Sequence, residues 1–107
     1  ATKIMDVFAN DANDWDDRNT NRQRLHTEIL NHNNHLEIAQ LMNTLLRKEL
    51  TLQQQDKKLA SQDTQMLHQI SMLIFDVLEL ALKQSKTQIE KQIMQKIKSN
   101  FNVATHA

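Results

Sequence analysis

The sequence predicts an all-α fold, a small helical bundle built on a long helical hairpin. Three observations predict it. The 107 residues include no glycine and no proline, the residues that supply turns with positive φ and the rigid turns and edges of sheets. Apolar residues recur at intervals of three and four from Leu25 to Ile97, the period of a helix with one face inward. Asn and Asp cluster over Asn10–Asn21, ahead of these runs, and their side chains compete with the helix backbone and favour caps and turns. A sheet architecture needs more turns than that. A glycine-rich phosphate loop is excluded, because its residues are missing.

At this length the chain forms a single helical domain over residues 1–107. Residues 1–12 read as an N-terminal arm or short helix that Thr2 can cap, with Ile4 and Phe8 one turn apart. Residues 13–53 read as one long helix starting at Asn13 or Asp14. Asp14, Asp16 and Asp17 then fall in its first turn, where the helix dipole favours negative charge. Wound at about 100° per residue, this helix carries two apolar stripes. Leu25, Ile29, His32, Leu36, Ala39, Asn43, Leu46 and Leu50 alternate by four and three, as in a coiled coil. Leu30, Ile38, Leu41, Leu45 and Leu52 lie opposite. A helix with two stripes must be covered on two sides, and a second copy of the chain is the expected cover. The chain is therefore expected to be a homodimer or higher homo-oligomer.

The polar run Gln53–Gln65 is where the chain reverses. A core helix follows over 64–84, capped by Ser61 or Asp63, with Met66, Ile70, Leu73, Ile74, Val77, Leu78 and Ala81 inward. Its apolar window, Met66 to Leu82, reads as too short and too polar to span a bilayer. Residues 87–101 form a basic C-terminal helix with Ile89, Ile93 and Ile97 in line and Phe101 at the edge. That line is rotated away from the face of the preceding helix, and Thr87 with Glu90 matches a capping box. Both favour a break near Gln84–Lys86. Asn102–Ala107 reads as a frayed tail.

Charge and cysteine usage narrow the function. Lys plus Arg and Asp plus Glu number 13 each, whereas a general polyanion binder is basic. Without cysteine there is no disulfide, thiolate nucleophile or Cys-type zinc site, a composition that slightly favours the cytoplasm and does not exclude export.

Few groupings suggest chemistry. Glu28, His32 and His35 would share one face of a continuous helix and could converge on an ion such as zinc. Against that, His32 falls within a packing stripe and no fourth ligand stands at a matching spacing, so no metal or cofactor is expected. A di-metal carboxylate site needs Glu-x-x-His, and no Glu here has His three residues later. Asp76 and Glu79 lie on the polar side of their helix, and the serines lack an activating motif. Lys83, Lys91 and Lys98 fall on one side of the basic segment and could contact phosphates, although no aromatic is interleaved to stack on bases. Asn43 could fix the register of a helical seam, and the five methionines read as core filler.

The function these features support is a non-enzymatic protein–protein interaction module: an adaptor, chaperone, inhibitor or structural subunit. Its expected interface is Leu30, Ile38, Leu41, Leu45 and Leu52. The alternatives are a nucleic-acid-associated accessory protein acting through Lys83, Lys91 and Lys98, and a metal-binding helical protein using Glu28, His32 and His35.

Overall fold

The computed structural model describes residues 2–106, with side chains from 3 to 100. It contains α1 (Thr2–Val7), α2 (Asn19–His32), α3 (His35–Gln54), α4 (Ser61–Leu82) and α5 (Lys86–His106). No strand occurs among the described residues. The fold class is all-α, as the composition required. The side chains of Thr2 and Phe101, and Ala107 altogether, lie outside the described residues. The backbone of α5 continues to His106, past the helix end expected at 101.

The long helix over 13–53 is two helices. Asn33 takes the left-handed conformation (φ 54°) and ends α2, its N–H donating to the Leu30 carbonyl. In a chain without glycine, Asn is the residue that best tolerates that position. Asn34 then caps α3, its side-chain oxygen accepting from the N–H groups of Leu36 (2.9 Å) and Glu37 (3.3 Å). The start of α2 also moves, from Asn13 to Asn19. Asp16 holds the chain short of the helix by accepting from the backbone N–H and the guanidinium of Arg18, so Asp14, Asp16 and Asp17 precede the first turn.

At its other end α3 closes with Asp56 in the left-handed region and Lys57 N–H bonded to the Leu52 carbonyl (2.8 Å). The connection is pinned inward by Leu59. α4 begins at Ser61 after Ala60, without a side-chain cap; neither Ser61 nor Asp63 caps it. Lys83 ends α4 in the left-handed region. The expected break before α5 is present, but its capping box is Ser85 with Gln88. The Ser85 N–H donates to the Gln88 amide oxygen (3.1 Å), and the Gln88 N–H donates to the Ser85 hydroxyl (3.3 Å).

α3 is the central element, with α4 and α5 packed along one side and α1 along another. Its Ile38, Leu41, Met42 and Leu45 join Ile70, Ile74 and Leu78 of α4 and Ile89, Ile93 and Ile97 of α5 in one core, which α1 closes with Ile4, Met5 and Phe8. The inward face of α4 is turned from the expected one: Leu67 joins it, while Leu73 and Ala81 are exposed. By length and composition alone α4 could cross a membrane, with a mean hydropathy of 1.3 over its most apolar window, contrary to the sequence reading. The face of α4 that carries Leu67, Ile70, Ile74 and Leu78 is packed in the core, as expected for an amphipathic helix of a globular fold.

Candidate interaction surface

α3 is sandwiched, as its two stripes required, but the chain supplies both covers. Ile38, Leu41 and Leu45 are at most 3% exposed. Leu30 and Leu52 are half-buried against the same core. The five aliphatics assigned to a partner interface are thus internal or at the margin of the core. The physical reason is the chain's own packing: the stripe joins Ile70, Ile74 and Leu78 of α4 in one core, while α1 and the segment after it lie along another side of α3.

That arm is held by polar groups of α3. Gln40 donates to the Asp11 carbonyl (2.9 Å) and Asn43 to the Asn10 carbonyl (3.0 Å), while the Thr44 hydroxyl accepts from Asn13 N–H (3.0 Å). Arg47, buried, donates to the Phe8 carbonyl (3.0 Å), to Asn43 (2.9 Å) and to Asn100 of α5 (3.1 Å). Asn43 therefore fixes a register, but between α3 and its own arm. Burial pushes the Arg47 guanidinium below its ordinary range, and the three acceptors offset the cost of burying the charge.

A second polar cluster joins α2 to α4. Arg22 and Asp63 form a two-bonded pair (2.7 and 3.1 Å), both buried. Gln23 adds a bond to Asp63 (2.7 Å). Trp15 covers Arg22, its ring centroid 4.7 Å from the guanidinium carbon, with Lys48 5.1 Å from the same ring. Beside the pair, His26 is 5% exposed. Its Nδ1 lacks a hydrogen-bond partner and stands 4.0 Å from Asp63. Burial pushes the imidazole below its ordinary range, Arg22 pushes the same way, and Asp63 opposes them.

The candidate metal residues do not converge. The Asn33–Asn34 break puts His35 on α3, apart from Glu28 and His32 on α2. Glu28 pairs with Arg24 (3.1 Å) and His32 with Glu37 (2.9 Å). Among the described residues, no group of His, Asp and Glu could hold a metal ion. The three lysines separate as well. Lys83 ends α4, whereas Lys91 and Lys98 share one side of α5; all three are exposed.

An open groove of about 310 Å³ lies between α4 and α5, floored by α3. Met42 and Leu46 form its base. Leu67, Met72 and Phe75 of α4 and Ile93 and Met94 of α5 form its walls, with His68, Lys86 and Glu90 at the rim. Met72 is 54% exposed. Lys86 lies over the Phe75 ring, 5.4 Å from its centroid. Three of the chain's five methionines therefore line an open surface. The sequence reading missed them by treating Met as filler. The available signal was Met72, which lies outside the core face of its own helix when that helix is wound at about 100° per residue. Leu73 and Leu80, also exposed, fall on the opposite flank of α4.

The groove can do what an unbranched, polarisable lining does: adapt to an apolar side chain without a unique shape requirement. The family described as CarD, C-terminal domain, matches residues 3–95, a range that takes in every residue lining the groove. No curated protein and no solved structure matches the chain. The matched family is one of non-catalytic interaction modules linked to transcription. On a match of that extent, the chain belongs to the CarD C-terminal domain family.

Proposed function

We propose that the chain is a non-enzymatic docking module of a transcription-associated assembly, and that the α4–α5 groove receives a segment of a partner protein. The observation that carries this reading is the methionine-lined groove. The fold buries the second stripe of α3 on itself or at its core margin, yet leaves Met72 exposed beside Phe75 and Met94 in an open groove. An apolar groove bordered by two helices suits an amphipathic partner segment. Family membership supports an interaction role in transcription.

A second reading, contact with nucleic acid, is favoured by one observation: exposed Lys91 and Lys98 share a side of α5, with Lys83 at the preceding turn. A photo-crosslinking residue at Met72, and separately at Lys91, separates the two in living cells. The docking reading expects protease-sensitive adducts at position 72 and few at 91. Nuclease-sensitive adducts concentrated at 91, with none to protein at 72, overturn it in favour of the second.

A further inference from the structure

We infer that the occupant of the groove is an amphipathic helix carrying carboxylates at the end that meets the α4–α5 turn; this rests on the docking reading above. The groove is polarised along its length. At the turn end Lys86 lines the groove and Lys83 caps α4 beyond it, both exposed and, among the described residues, in no ion pair. Lys86 is one helical turn from Glu90 but lies over the Phe75 ring instead. Its ammonium therefore borders the apolar wall of the groove. At the far end the rim is Thr64 and His68, with no carboxylate. Glu90 sits between the ends.

Length sets the shape of the ligand. The α4 wall runs from Thr64 to Phe75, about 16 Å at the rise of a helix, enough for about three turns of a partner helix. Such a helix seats anchors at i, i+3 or i+4, and i+7 on Met42, Leu67, Met72 and Met94. Its carboxylates, or the negative end of its dipole, then meet Lys86 and Lys83. Glu90 calls for a neutral or basic residue one turn further in.

The five methionines supply the readout. Methyl-labelled Met42, Met72 and Met94 report on the groove, and Met5, in α1, is a control outside it. The probes are a designed amphipathic peptide with a pair of Glu at one end and its twin with Lys in their place. The acidic peptide is expected to shift the three groove methyls, leave Met5 unmoved, and bind about threefold to tenfold tighter than its twin. Lys83→Glu with Lys86→Glu should reverse the preference, and Met72→Glu should abolish binding of both. Equal affinity for the two peptides overturns the charge assignment while leaving docking intact. If neither peptide binds yet position 72 still crosslinks to protein, the helix is the wrong ligand and the docking reading survives. Shifts produced by duplex DNA at these same methyls overturn both.

Discussion

Arg22 of α2 and Asp63 of α4 meet as a buried two-bonded pair, Nη2 to Oδ2 at 2.7 Å and Nε to Oδ1 at 3.1 Å. Two segments 41 residues apart are locked by it, and the same guanidinium donates to the Asp16 carbonyl (2.9 Å) and lies against Trp15. The placement of α2 and of the loop before it therefore depends on this one cation. In the sequence nothing sets it apart from its neighbours Arg18 and Arg24.

Removing one partner should be costly. Asp63→Leu strands the Arg22 charge, and breaking a buried pair this way costs about 3–5 kcal/mol. For a domain near this size each kcal/mol moves the melting temperature by about 4–8 °C. Calorimetry should show a drop of more than about 10 °C on that scale. Adding Arg22→Met should recover most of it, because the stranded charge is then gone. A double variant as unstable as the single would show that the pair itself, not the orphaned charge, sets the cost.

His26 gives the fold an acid limit. Its pKa is lower in the folded chain than in the unfolded one, so the unfolded state takes up the proton first as pH falls. The contribution of the neutral imidazole is complete above about pH 6.5, its ordinary value. It is lost as pH falls from there toward the depressed folded value. Urea unfolding at neutral and mildly acidic pH should show this loss, and His26→Gln should flatten it. Asp16, held well below the usual carboxylate range by Arg18 and Asn21, titrates far from that window. An unchanged pH profile in His26→Gln would assign the acid sensitivity elsewhere.

Arg47 should govern the arm. Arg47→Met removes the donors to the Phe8 carbonyl, Asn43 and Asn100, and one charged hydrogen bond contributes about 1.5–3 kcal/mol. Proteolytic cleavage between Ala9 and Asn13 should accelerate well before the whole domain opens, and Arg47→Lys should rescue it poorly. Uniform protection of that segment in Arg47→Met would mean that Ile4, Met5 and Phe8 hold the arm by packing alone.

The α2–α3 corner isolates local backbone chemistry. Asn34→Ala loses a cap worth about 0.5–2 kcal/mol. Asn33→Ala places a β-carbon in the left-handed region at about 1–2 kcal/mol, whereas Asn33→Gly should be neutral or stabilising. Chemical denaturation of the three variants should give that order. Ala at both positions matching wild type would argue for the continuous helix that the periodicity suggests.

The fold class was legible because turn-making residues are missing, and the core of the last two helices was legible from spacing. Ile70, Ile74, Leu78, Ile89, Ile93 and Ile97 are at most 1% exposed. The corner at Asn33 was not legible, since the apolar period runs through it unbroken and one residue's φ decides the matter. The α5 cap was ambiguous, because Ser85–Gln88 and Thr87–Glu90 both fit the same pattern. The second stripe of α3 revealed that it needs cover, but not that the chain's own helices provide it; a hydrophobic pattern carries no address. Family membership, shown by residues 3–95, was not read from the sequence. The groove was hidden because a methionine facing the core and one facing a docking surface look alike in a sequence.

The central claim is that the chain covers its own α3 stripe and keeps the α4–α5 groove for a different protein. Light scattering of the purified chain at micromolar concentration tests it most directly. The account predicts the 12.5 kDa mass of one chain, unchanged by Met72→Glu. A mass of two chains that Met72→Glu returns to one would contradict it, because the groove would then belong to a second copy.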